Sequence, residues 1–203
     1  MPNVNRPSGL SPVKYLGGAD WDGKVNIYSI AAADTGAYFP GDPVILSGDG
    51  DVNGIPGVTL HTAGANPIIG CVVAVGTTPR GGPYINPNDL TATSRPSGAQ
   101  TAVYYVAVAD DPFILFEIQE DSVAATLAAT NLAQNFFLAA TTPATGVKVS
   151  GWMIDSSDAT NNTASPVKLY SLVQRLDNAI GQFAKWIVLL NNHPYKSSGT
   201  AGI

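Results

Sequence analysis

Oxygen-bearing side chains suited to a metal ion are densest in the run Asp49-Gly50-Asp51-Val52-Asn53-Gly54. Side-chain oxygens at alternate positions followed by glycine match the first half of a calcium loop, in which Asp49, Asp51 and Asn53 would supply ligands. The second half does not match, because the position that needs a bidentate glutamate is Leu60. We therefore predict a polar turn between two strands, with calcium at Asp49, Asp51 and Asn53 as the alternative.

Residues for nucleophilic catalysis are few, since the chain has one cysteine, Cys71, and two histidines, His61 and His193. Cys71 lies in an apolar run with no adjacent basic residue that would lower its thiol pKa, so we predict a buried structural role. Neither histidine adjoins a serine in a Gly-x-Ser-x-Gly turn. A Cys71–His61 pair brought together in space stays open, but nothing in the sequence selects it.

Carboxylates occur in close groups, and glycoside hydrolysis needs two carboxylates across a cleft. The groups are Asp20 with Asp22, Asp110 with Asp111, and Glu117 with Glu120 and Asp121. The sequence selects no pair among them, and Asp110-Asp111-Pro112 is typical of a turn. The chain also has no zinc-type spacing of Cys and His and no phosphate-binding glycine loop. We predict no catalytic residue, no cofactor and a protein that is not an enzyme.

The composition points away from nucleic acid and membrane. Of 203 residues 12% are charged and 45% hydrophobic, and the net charge is −5 with 10 Lys and Arg that are scattered singly. No basic stripe could neutralise a row of phosphates, and no apolar run reaches the roughly 20 residues of a membrane span. The first residues lack the apolar segment of a signal peptide, so we expect a protein made in the cytoplasm.

The elements that position these residues are short β-type segments separated by Gly, Pro, Asp and Asn. Many short strands with turn signals between them are typical of a sandwich or barrel. We predict an all-β fold, a jelly-roll-like sandwich or barrel. The predicted strands are 25–30, 43–47, 57–61, 68–75, 103–109, 113–120, 135–139, 147–154, 166–172 and 183–190.

Two of these segments, 103–109 and 183–190, are largely apolar on both faces. In an antiparallel fold that pattern indicates burial between sheets or beneath a partner chain. Two stretches depart from the strand pattern. The alanine-rich residues 121–129 predict a short helix or turn, and residues 77–100 predict a long loop that leaves the body.

Both ends of the chain are predicted to leave a single β domain at 21–193. Residues 1–20 contain prolines at positions 2, 7 and 12 and no apolar period, so we predict an extended arm that gains its order from a neighbouring molecule. Residues 194–203 predict a similar tail.

Aromatic residues in these ends predict a protein interface. Large aromatics with one polar edge are favoured at interface cores, and an extended arm offers them little burial. We expect contacts with a partner at Arg6, Tyr15 and Trp21 in the arm and at Tyr195 in the tail.

Over nearly its whole length the chain resembles the capsid cement proteins of short-tailed bacteriophages. The segments that carry the resemblance are Asn5-Arg6-Pro7-Ser8-Gly9-Leu10-Ser11-Pro12-Val13-Lys14-Tyr15-Leu16, Phe39-Pro40-Gly41-Asp42-Pro43-Val44, Tyr104-Tyr105-Val106-Ala107-Val108-Ala109-Asp110-Asp111-Pro112, Phe116-Glu117-Ile118-Gln119-Glu120, Ser150-Gly151-Trp152, Gln174-Arg175-Leu176-Asp177-Asn178-Ala179 and Ala184-Lys185-Trp186-Ile187-Val188-Leu189-Leu190-Asn191-Asn192-His193. The resemblance implies a jelly-roll-like body on the outside of the virion head. It also implies a homodimer that clamps neighbouring copies of the major capsid protein, with no catalytic motif.

Two other functions stay open at this point. A carbohydrate-binding or adhesin module also fits a β-sandwich, and exposed Trp and Tyr on a loop platform would favour it. A glycan hydrolase is the other reading, and it lacks a marked acid pair.

Overall fold

The computed structural model describes residues 3–77, 93–123, 125–141, 143, 146–158, 162–196, 199 and 202. It confirms the predicted all-β class, with a five-stranded sheet, a closed barrel of five strands and a two-stranded sheet. In the described part of the chain, no helix has the length and apolar character needed to cross a membrane.

The strands lie close to where the turn residues and the apolar pattern predict them. They are β1 Ser11–Tyr15, β2 Asn26–Ile30, β3 Pro43–Gly50, β4 Pro56–Leu60, β5 Gly70–Gly76, β6 Tyr104–Ala109, β7 Ile114–Gln119, β8 Asn135–Phe136, β9 Leu138–Ala139, β10 Met153–Ile154, β11 Val167–Leu172 and β12 Lys185–Leu190. Two predictions were too long, because 135–139 splits into β8 and β9, and only the end of 147–154 is paired. Strand β1 was not predicted.

The barrel runs in the order β2-β4-β3-β5-β6 and closes through a parallel contact of β2 with β4. Its interior is filled by aliphatic and tyrosine side chains from all five strands, including Ile30, Val44 and Val106. Arg95 is fully buried against this core. Its guanidinium donates to the backbone carbonyls of Gly36 and Asp34 and lies 5.7 Å from the Tyr38 ring, so the buried charge is hydrogen-bonded.

The sheet runs in the order β1-β7-β12-β11-β8, antiparallel throughout. Because side chains alternate along a strand, Phe116 and Ile118 of β7 and Trp186 of β12 point inward and form the main core with residues of the barrel such as Ile68 and Cys71. The chain therefore has two cores, one inside the barrel and one between the barrel and the sheet.

The N-terminal segment folds onto its own body. Strand β1 pairs with β7, Leu10 is 1% exposed, and the Asn3 side-chain amide donates to the carbonyls of Ala179 and Gln182. The prediction that residues 1–20 form an arm ordered by a neighbouring molecule is therefore wrong for the described residues from 3 onward. Pro12 does not prevent pairing because β1 is an edge strand, where a proline can direct its missing donor to solvent.

The start of the predicted tail is also attached to the body. His193 is buried, the Tyr195 backbone N–H donates to its Nδ1 at 3.1 Å, and the Lys196 Nζ donates to the Leu190 carbonyl. The chain is therefore attached to its own body up to residue 196. Most of the remaining tail, at 197, 198, 200, 201 and 203, lies outside the described residues.

The two stretches that departed from the strand pattern have different outcomes. The prediction of a short helix or turn at 121–129 does not give an α-helix in the described residues, which form an irregular loop up to 128. The buried carboxylates of Glu120 and Asp121 accept the backbone N–H groups of Leu127 and Val123 there. A short 3₁₀ helix follows at Ala129–Asn131. Most of the predicted loop at 77–100 lies outside the described residues.

Candidate protein-binding face

The outer face of the five-stranded sheet is apolar, although it points away from the barrel. Leu115 of β7, Ile187 of β12 and Val173, which follows β11, form a third, smaller buried cluster there, with Val13 and Leu189 packed against it. Every member of this cluster comes from the sheet strands or from the residue next to them. The outer face is thus covered by side chains of the sheet itself.

The two segments that are apolar on both faces, 103–109 and 183–190, contain β6 and β12 and are buried in different ways. Strand β6 has Val106 and Val108 in the barrel core and Ala109 in the main core, so it lies between two layers of this chain. Strand β12 has Val188 in the main core, whereas Ile187 is in the outer cluster. Burial between layers therefore accounts for β6, and packing within the outer cluster accounts for Ile187 of β12.

The register of the sheet defines the rows of side chains on this face. Lys14 pairs with Leu115, Leu115 pairs with Leu189, and Leu189 pairs with Lys168. Directly opposed residues on neighbouring strands share a face, so two apolar side chains lie between two lysines in one row. The next row places Glu117 beside Ile187.

Two irregularities in pairing bring Lys14 and Tyr170 into contact. The register shifts between Pro12 and Lys14 in β1, and again between Leu169 and Ser171 in β11. Such shifts re-aim a side chain on the sheet surface. The Lys14 Nζ lies 5.7 Å from the centre of the Tyr170 ring, and Tyr170 is 47% exposed.

Basic residues outnumber acidic ones on this face. The Arg175 guanidinium forms two hydrogen bonds of 3.1 Å to the Glu117 carboxylate, and the Lys185 Nζ lies 3.3 Å from the same group. Arg175 also lies 3.5 Å from Asp177. With Lys14 and Lys168 added, the face is basic on a chain whose net charge is −5.

Arg6, one of the predicted interface residues, lies at the edge of this face. Its backbone N–H donates to the Gln119 Oε1 at 2.8 Å, and its side chain is exposed. A cavity of about 340 Å³ separates the N-terminal segment from the β11–β12 loop there. Its lining includes Val4, Arg6, Arg175, Phe183 and Lys185.

Tyr15 and Trp21 are partly buried against the main core, and the Tyr15 hydroxyl donates to Asp22 at 3.0 Å. The expectation that the body offers them little burial is therefore wrong, because β1 docks the segment that carries them. Tyr195 is 59% exposed and lines a shallow cavity with Tyr28 and Asp110. The structure does not gather the four predicted interface residues into one patch, and their contact with a partner stays a prediction.

The carboxylates at the end of β3 and in the β3–β4 loop accept hydrogen bonds from this chain. Asp51 accepts hydrogen bonds from the backbone N–H groups of Asn53 and Ile55, from the Asn53 side chain and from the Tyr105 hydroxyl, at 2.8 to 2.9 Å. Desolvation opposes ionisation, but these bonds outweigh it and lower the Asp51 pKa to about 2. Asp49 accepts the Ser47 hydroxyl. Among the described residues no group of three His, Cys, Asp or Glu side chains could hold a metal.

Cys71 is fully buried, as predicted, and burial raises its thiol pKa. His61 is also buried, with its ring centre 5.3 Å from that of Trp152, and burial lowers its pKa to about 4. Neither His61 ring nitrogen has a hydrogen-bond partner in the described part of the chain. His193 bonds through Nε2 to the carbonyls of Ile69 and Asp110, which anchors the chain end.

A cleft beside His61 has an aromatic and acidic lining. It measures about 540 Å³ and is bordered by Phe39, Asp42, Lys148 and Trp152. Burial raises the pKa of Asp42 to about 6, although its carboxylate accepts the Phe39 N–H at 2.8 Å.

Sequence reasoning missed the outer face because its members are distant in the chain. The signal available was the doubly apolar pattern of 183–190, which indicated a covered surface but not which side chains surround it. Lys14 and Tyr170 meet only through register shifts, and no local pattern marks those.

No protein-family model, no curated protein and no solved structure matches this chain.

Proposed function

We propose that this chain is a structural virion protein that binds the outside of a phage capsid and clamps neighbouring major capsid proteins. The observation that supports this function is the outer face of the sheet, where exposed Tyr170 and several basic side chains surround the apolar cluster of Leu115, Ile187 and Val173. These three side chains are 1 to 8% exposed, so the free surface of the face is formed by the residues around them, among which Tyr170 is 47% exposed. A large aromatic side chain with one polar edge is favoured at the core of a protein interface. The choice of the major capsid protein as the partner comes from the resemblance to phage cement proteins.

The size of this face sets a requirement on the clamp. Strands are spaced about 4.8 Å apart and rise about 3.4 Å per residue, so the four longer strands present on the order of 400 Å². A stable protein interface buries about 800 Å² on each partner. The sheet face must therefore act with adjoining surface, such as the cavity beside Arg6, or through two copies in the proposed homodimer.

A clamp of this kind stabilises a head by mass action. A protein that binds the assembled lattice and not the free subunits shifts the equilibrium toward assembly. Several moderate contacts on one lattice combine through effective concentration, so no single contact needs to be tight.

The test uses purified heads that lack this protein. The chain is added at increasing concentration, and its occupancy is measured by sedimentation together with the temperature at which the heads release their genome. We expect saturable occupancy and a higher release temperature. Heads that bind no chain at any concentration would contradict the proposal.

A carbohydrate-binding module is the second candidate, and the cleft lined by Phe39, Asp42 and Trp152 favours it. Trp152 is only 7% exposed, which leaves little ring surface for stacking on a sugar. A glycan array with the purified chain separates the two functions, because specific glycan binding without head binding would favour the module.

A further inference from the structure

Charge is unevenly distributed over the two halves of the molecule. Acidic side chains lie on the barrel strands and their connecting loops, including Asp34, Asp49 and Asp110. The outer face of the sheet carries a basic set instead. Its members are Lys14, Lys168, Arg175 and Lys185, with Arg6 at the edge.

The cations on this face differ in how they are already neutralised. Arg175 and Lys185 share the Glu117 carboxylate. Within the described residues, Lys14 and Arg6 form no ion pair, although Lys14 lies opposite Asp20 in an isolated β-bridge. The Lys14 Nζ lies over the Tyr170 ring. These two cations are therefore the ones that can accept carboxylates from outside the chain.

Covering the face changes the energetics of these cations. When a partner covers the face, a cation on it loses hydration and needs a compensating negative charge. Carboxylates placed opposite Lys14 and Arg6 meet that need, whereas a basic or purely apolar partner surface leaves the cations unpaired.

We infer that the partner surface docked on the outer face is an acidic protein surface, whose carboxylates meet Lys14 and Arg6 while an apolar group settles beside Tyr170. This inference rests on the proposed function and names the chemistry of its partner. A nucleic acid is disfavoured because the cations are few and an apolar cluster and Glu117 interrupt them, so they cannot follow a row of phosphates.

The test compares two double variants on the same purified heads. Arg6→Glu with Lys14→Glu reverses the charges on the face. Lys24→Glu with Lys148→Glu makes the same change in net charge at exposed positions that do not belong to the face, and it also removes the ion pair of Lys24 with Asp22. Thermal unfolding of both variants checks that each is folded.

We expect the face variant to bind heads about tenfold more weakly or worse, as two attractive pairs become repulsive. The control variant should stay within about twofold of the original chain, because neither lysine belongs to the face and an exposed ion pair contributes little. Binding of the original chain should weaken as salt rises from low to physiological concentration, and the face variant should show less of this dependence.

The outcomes separate the two proposals. If the original chain does not bind heads, the proposed function fails. If it binds and both variants bind equally well, the function stands and the acidic-partner inference is overturned. Binding of the original chain to a random duplex DNA as tight as its binding to heads, and lost in the face variant, would also overturn the inference in favour of a nucleic acid.

Discussion

Lys14 and Tyr170 meet across two intervening strands, with the Lys14 Nζ 5.7 Å from the centre of the Tyr170 ring. One residue belongs to β1 and the other to β11, and β7 and β12 lie between them. The pair thus spans the row in which Leu115 and Leu189 lie. It connects the edge strand β1 to β11 across the outer face of the sheet.

Replacing Tyr170 with alanine should remove this contact. We expect Tyr170→Ala to lower the free energy of unfolding by about 1 kcal/mol, through loss of the cation–π contact and of apolar burial. Chemical denaturation measures the change. Leu176→Ala is the control, because Leu176 is fully exposed and its loss should leave stability unchanged. Equal effects of the two substitutions on unfolding free energy would contradict a stabilising contact between Lys14 and Tyr170.

The docking of the N-terminal segment can be tested at Leu10. This side chain is 1% exposed and belongs to the main core, so we expect Leu10→Ala to cost about 2 to 4 kcal/mol in unfolding free energy. Val4→Ala, at an exposed position in the same segment, should cost little. A stability unchanged by Leu10→Ala would mean that the segment is not part of the folded body in solution.

His61 should make the protein acid-sensitive. Burial lowers its pKa from 6.5 to about 4, so the folded state keeps the ring neutral while the unfolded state takes up a proton. The stability contribution is therefore present above pH 6.5 and is lost as pH falls toward 4. The shift corresponds to about 3 kcal/mol between pH 7 and pH 4.

His61→Phe keeps a ring against Trp152 and cannot be protonated. We expect its unfolding free energy to fall by about 3 kcal/mol less than that of the original chain over the same pH range. Denaturation at several pH values measures the difference, and the other titrating groups, present in both proteins, cancel. Parallel pH profiles would contradict a buried neutral His61.

The loop at Asp51 should be indifferent to calcium. Because its carboxylate already accepts hydrogen bonds from Asn53, Ile55 and Tyr105, we expect the same melting temperature with calcium and with a chelator. Asp51→Ala should cost about 1 to 2 kcal/mol in either condition, since it leaves loop N–H groups without an acceptor. A calcium-dependent rise that Asp51→Ala abolishes would restore the calcium site.

The positions of most strands could be predicted from the sequence, because the signals for them are local. Turn residues around β3 and β4 and the alternation in β7 are set by backbone geometry within a few residues. The buried position of Cys71 follows in the same way from the apolar run that contains it. For the candidate face, the doubly apolar pattern of β12 indicated only that both sides of this strand would be buried. It did not indicate which side chains surround it.

Tertiary structure decided which segments pair and what each face meets. Strand β1 contains two residues, Pro12 and Lys14, that a local pattern does not favour in a strand, and it forms because β7 offers an unpaired edge above a core that Leu10 helps to fill. The contact of His61 with Trp152 and that of Lys14 with Tyr170 join residues more than 90 positions apart. Such contacts depend on sheet order and register, which arise when the whole core is packed, so no short stretch of sequence encodes them.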